Sequence, residues 1–129
     1  MTLPAGNQEG KSRIPSFKDL EVWKKAMKLV ERVYALTRSY PPDERFGLTA
    51  ESRKTSRSVP SNIAEGKMRY SQKEYHHFVS IAHGSPGELH TQILIGGGLG
   101  YLSVTDVESI EPEIEEVGRM LRGLMRSLA

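Results

Sequence analysis

The stretch Glu44-Arg45-Phe46-Gly47-Leu48-Thr49 leads into Pro60-Ser61-Asn62-Ile63-Ala64-Glu65-Gly66 and then Ser71-x-x-Glu74-Tyr75. It reads as a helix with a hinge followed by a second, capped helix. Asp43 is placed to cap the first of these, over residues 43–66. Thr49, Ser52, Ser56, Val59 and Ile63 keep the three-and-four spacing of a buried helix face, although three of the five are hydroxyl residues. Pro60 lacks an N–H and crowds the preceding turn, so a kink is expected there. Gly66 offers a left-handed C-cap, and Ser71-x-x-Glu74 has the form of a capping box opening a third helix.

Upstream, residues 17–40 carry two adjacent apolar seams: Leu20, Trp23, Met27, Val30 and Tyr34, and Val22, Ala26, Leu29, Val33 and Leu36. Two seams make a wider apolar surface than one antiparallel neighbour covers, so either this helix sits deep inside the bundle or it also packs against another subunit, with self-association expected through Val22, Trp23, Ala26, Leu29 and Val33. Pro41-Pro42 ends this first helix. Downstream, Tyr75, Phe78 and Ala82 begin a stripe that Leu89 and Ile93 continue, but Gly84-Ser85-Pro86-Gly87 between them spells a turn. Glycines 96–98 and Gly100 are expected to end that segment. A fourth helix is expected from Thr105-x-x-Glu108, with Val107, Ile110, Ile114, Val117, Leu121, Leu124 and Leu128 as its seam and Pro112 as a candidate restart. There is no strand-like alternation, so the fold class is all-α. Residues 1–16 read as a flexible tail and 17–129 as one domain.

The chain has 129 residues and no cysteine, which excludes disulfides and thiolate metal sites. No apolar run approaches a membrane span and no leader-like stretch opens the chain, so a cytoplasmic protein without a membrane partner is expected. The net charge of +2 is unevenly spread. Residues 1–90 hold 15 Lys and Arg against 10 Asp and Glu, whereas residues 91–129 hold 3 against 6. A basic face beside an acidic one suits a polyanionic partner or head-to-tail assembly.

The basic residues cluster at Arg45, Arg53, Lys54, Arg57, Lys67 and Arg69. Arg53 and Arg57 lie one turn apart, flanked by Lys54. Such a stripe can neutralise several phosphates of RNA or DNA and gain from counterion release. The competing reading is a solvated face, with Glu51 and Glu65 as local partners. No aromatic platform interleaves with these cations in the sequence, so base-specific readout is not expected. His76, His83 and His90 recur every seven residues, about 10 Å of rise apart, too far to share one ion within a chain. A lone Glu74-x-x-His77 is half of what a di-iron bundle needs. No cofactor is expected. No serine stands in a nucleophile context, and glycines 96–98 lack the lysine of a phosphate loop. Asn62 is expected to satisfy backbone near Pro60, and Glu65 to pair with a basic neighbour.

Phe17-x-Asp19-Leu20-x-Val22-Trp23, the 44–49 and 60–66 stretches, Gly84-Ser85 and Gly100-Tyr101-Leu102 together resemble the four-helix bundle family encoded by intervening sequences of bacterial 23S ribosomal RNA genes. That family is related to accessory proteins of diversity-generating retroelements. The resemblance covers about residues 17–128. It implies an up-down-up-down four-helix bundle with a continuous, kinked third helix, no metal, and assembly as a homopentamer like related barrels. Its retroelement relatives bind nucleic acid and a reverse transcriptase through a basic surface. Ser52, Thr55, Ser56, His83, His90, Pro86 and the triple glycine depart from the family pattern. The expectation is therefore a non-enzymatic oligomeric scaffold contacting structured nucleic acid through helix 2. The alternative is a protein-interaction module that binds no nucleic acid.

Overall fold

The computed structural model describes residues 15–129, and nearly all of the expected 1–16 tail lies outside them. Five α-helices build four legs: α1 Glu21–Thr37, α2 Leu48–Lys67, α3 Gln72–His83 with α4 Ser85–Gly98, and α5 Val104–Leu128. The described residues contain no strand. α1 packs on α2 and α5, while α2 and α5 each pack on both α3 and α4, so the legs close a ring. Residue pairings give the directions. Tyr34 meets Arg57 while Thr37 meets Arg53, and Lys25 meets Glu116 while Arg32 meets Glu113. Each pair runs antiparallel, and so do α2 and α5 along the third leg, where Gly66 faces Phe78 while Ser58 meets Ser85, and Gln72 meets Leu128 while His90 meets Glu111. The topology is up-down-up-down.

The seams meet inside the ring. Leu29, Val33, Val59, Ile63, Val79, Leu89, Ile93, Ile110, Ile114, Val117 and Leu121 are buried together. Each such side chain contributes roughly 1.5–3 kcal/mol on leaving water. The seam on α5 is as its spacing predicts, and Pro112 does not interrupt that helix. On α1, four of the five expected self-association residues belong to this core. Val22, Ala26, Leu29 and Val33 are buried within a single chain, and Trp23 alone keeps partial exposure, its edge against Phe17. An antiparallel partner on each side covers that seam; what α1 leaves outward is the neighbouring seam of Trp23, Met27 and Val30.

Several boundaries differ from expectation for local reasons. Helix α2 begins at Leu48, after a 3-10 turn Pro42–Glu44, and its end is capped by Glu44, whose carboxylate accepts from the Leu48 N–H at 2.9 Å. A glutamate four residues upstream thus replaces the expected Asp43 cap. Gly66 lies inside α2 rather than past its end. A Cβ there would approach Phe78 Cβ to 2.9 Å, so the glycine permits α3 to close on α2. Glycines 96–98 form the last turn of α4, which ends at Gly98 as expected, and the turn beyond it falls at Gly100, whose φ of +82° suits a residue without Cβ. Ser103, not Thr105, caps α5, accepting from the Asp106 N–H at 3.0 Å. Between α3 and α4 only Gly84 leaves the helix, and it keeps right-handed helical angles. The turn-like tetrapeptide is therefore a one-residue interruption in one long leg. Pro60 stays within α2, where Asn62 Nδ2 donates to the Ser58 carbonyl at 2.8 Å, as expected of a side chain serving backbone near a proline.

Candidate nucleic-acid interface

The cations of α2 are organised by the end of α1. Tyr34 and Thr37, one turn apart, point across to Arg53 and Arg57, also one turn apart on the antiparallel helix. Arg53 Nε donates to Thr37 Oγ1 at 2.9 Å and its guanidinium lies over the Tyr34 ring, 4.5 Å from the centroid. Arg57 donates to the Tyr34 hydroxyl at 2.6 Å. Thr37 in turn donates to the Val33 carbonyl at 2.8 Å, which fixes its acceptor lone pairs toward Arg53. Neither arginine meets a carboxylate among the described residues, and Lys54 beside them is exposed and unpaired. Two guanidiniums are thus held by neutral groups with their charge intact and N–H donors to spare.

The other three predicted cations do not join this cluster. Arg45 lies over the ring of Phe46, which is 86 % exposed. Lys67, about 15 Å from Arg57 along the helix axis, sits over Tyr75. Arg69 is neutralised, 2.6 Å from Glu65 and 3.7 Å from Glu74, and also covers Phe78. The expected Glu65 pairing holds. The expectation that no aromatic group interleaves with these cations is corrected: Arg45, Arg53, Lys67 and Arg69 each lie over a ring, three of the rings supplied by a neighbouring helix. Sequence reading misses Tyr34 and Thr37 by assigning Tyr34 to the core seam. The available signal is a tyrosine and a threonine at i, i+3 facing two arginines at i, i+4 across a short Pro-Pro connection.

Next to this cluster the groove between α1 and α2 is apolar. Trp23, Met27 and Val30 face Pro60 and Ala64, with Arg57 and Ser61 at its edge, around about 330 Å³. Toward the connection, Tyr101 donates to Glu44 at 2.9 Å. The Leu48 N–H, and then this hydroxyl, hold the Glu44 carboxyl below its ordinary range. The Tyr101 phenol is pushed up in return, chiefly by that bond. The histidines do not converge. His90 is bonded to Glu111 at 2.6 Å, and no group of His, Asp or Glu among the described residues is arranged to hold a metal ion. No helix of the described residues is long and apolar enough to cross a membrane.

The fold is shared with a solved protein of unknown function from the S23 ribosomal protein family of Bacteroides thetaiotaomicron VPI-5482. That structure superposes with a TM-score of 0.72 at 18% identity, covering 81% of this chain and 97% of the other. No curated protein matches the sequence. The family model for the 23S rRNA-intervening sequence protein matches residues 18–123, almost the whole described bundle. The chain belongs to the 23S rRNA-intervening sequence protein family.

Proposed function

We propose that this protein is a non-catalytic, cytoplasmic scaffold that binds structured nucleic acid through the α1/α2 face. The observation that carries this reading is the Tyr34-organised pair Arg53 and Arg57 beside Lys54, none of them facing a carboxylate among the described residues. Guanidiniums pinned in place lose little entropy on meeting phosphate and match its oxygens bidentately. Arg45, before α2, and Lys67, over Tyr75 of α3, lie outside this cluster. Assembly of several copies, as a homopentamer in the fullest form of this reading, multiplies a modest per-chain affinity by avidity. A reverse transcriptase is the protein partner that the retroelement relationship suggests.

Fluorescence anisotropy of a labelled RNA hairpin tests this reading. Lys54→Glu with Arg57→Glu is expected to weaken binding on the order of 100-fold while leaving helicity by circular dichroism unchanged. Unchanged binding would sink it. A second reading, a protein-interaction module, draws on the apolar groove of Trp23, Met27, Val30, Pro60 and Ala64. Light scattering at micromolar concentration separates the assembly component, since a monomer contradicts it.

A further inference from the structure

On the opposite side of the ring, where the third leg meets α5, a second groove of about 500 Å³ opens. That volume falls within the range of small-molecule sites, roughly 300–1,000 Å³. Its floor is Gly84, Pro86 and Gly87 from the α3–α4 junction and Ile114 and Gly118 from α5. The chain's own packing does not require these glycines. A Cβ at Gly87 would meet nothing within 4 Å, and one at Gly118 would reach only Pro86 at an ordinary 3.8 Å. Glycine within a helix costs about 0.5–1 kcal/mol relative to alanine. The two glycines therefore keep open a space that larger side chains would fill.

The walls are polar and carry two cations. Arg119 and Arg122 stand at i, i+3 on α5, so they share a face. Neither has a carboxylate partner among the described residues, unlike Lys25, Arg32 and Arg69. Glu111 is held by His90 at 2.6 Å, and the His83 ring lines the same wall. Glu115 is the one carboxylate in the lining and supplies a hydrogen-bond acceptor. No Phe, Tyr or Trp ring lines the groove, so a stacked base is not favoured. We propose that this groove binds a small hydroxylated phosphate monoester, its phosphate between Arg119 and Arg122 and a hydroxyl donating to Glu115. Two guanidiniums provide the bidentate donors that a phosphate dianion takes.

Isothermal titration calorimetry of the full chain with ribose 5-phosphate, inorganic phosphate and ribose tests the assignment. Saturable binding is expected for the two phosphate-bearing probes, competing for one site, and none for ribose. Arg119→Gln with Arg122→Gln is expected to weaken ribose 5-phosphate binding by roughly tenfold or more without moving the thermal midpoint. Gly118→Leu, which fills the groove, is expected to exclude the ligand with both arginines in place. Lys28→Gln, exposed on α1 on the far side, is expected to leave the titration unchanged. Absence of saturable binding, survival of binding in both groove variants, or its loss in the far-side variant would each overturn the proposal.

Discussion

Where α1 meets α5, Lys25 lies 3.4 Å from Glu116 and Arg32 lies 3.2 Å from Glu113, with a further bond from Arg32 to Ser109. Where the same helix meets α2, Arg53 and Arg57 end on Thr37 and Tyr34. Both seams use long cations to bridge antiparallel helices. The first answers them with carboxylates and neutralises its field; the second answers them with a hydroxyl, a phenol and a ring, and keeps its charge. Exposed ion pairs of the first kind contribute about 0–1 kcal/mol each, so their main consequence is cancellation. The second arrangement leaves a positive, pre-ordered edge. The choice of partner, not the number of cations, decides which face a polyanion meets.

The largest expected effect comes from altering charge on the two seams in parallel. Lys54→Glu with Arg57→Glu should weaken binding of a structured RNA on the order of 100-fold at low salt and cut the log–log salt slope by about one unit for each phosphate no longer neutralised. Lys25→Glu with Glu116→Lys, which swaps the ends of an ion pair and keeps the local net charge, should change affinity by less than about threefold. Equal losses in the two variants would erase the distinction between the seams.

Next in size is a stability effect confined to the α2 seam. Arg53→Ala removes a donor from buried Thr37 and uncovers Tyr34, and should lower unfolding free energy by about 1–2 kcal/mol in urea titration. Arg57, exposed and bonded only to a phenol, should tolerate the same change with less than about 0.5 kcal/mol lost. Smaller still, Glu113→Gln with Glu116→Gln should release Arg32 and Lys25. RNA affinity should then rise a few-fold while stability drops by less than about 1 kcal/mol; unchanged affinity would mean that those cations face no nucleic acid.

The smallest effect contrasts the two tyrosines. Tyr34 accepts from a cation, whereas Tyr101 donates to the Glu44 carboxylate, which with the Leu48 N–H holds that group's pKa down. A lowered carboxylate contributes stability above its unfolded pKa and loses it as pH falls through its lower folded value. Tyr101→Phe raises the folded value toward the ordinary one. The acid limb of a thermal-midpoint profile should therefore become shallower in that variant, while Tyr34→Phe should leave it unchanged.

The bundle is legible in the sequence because its signals are local and periodic. The α5 seam from Ile110 to Leu121 is a spacing pattern, and burial follows it position by position. Caps are less legible because neighbouring polar residues compete: Ser103 prevails over Thr105, and Glu44 reaches Leu48 across Gly47. Gly66 reads as a helix stop because its close approach to Phe78 depends on where α3 lies. The candidate site is half visible. Arg53, Lys54 and Arg57 stand out as a stripe, but whether each cation is neutralised depends on another helix. Arg69 meets carboxylates on α2 and α3, whereas Arg53 meets Tyr34 and Thr37 on α1, and nothing in the local sequence separates those two fates.

The most direct test of the uncancelled charge on α2 is a salt series of anisotropy titrations of wild-type protein with a labelled RNA hairpin and a DNA duplex of equal length. Micromolar or tighter binding is predicted at low salt, falling steeply and log-linearly as salt rises. Absence of binding at the lowest salt, or binding indifferent to salt, would contradict it.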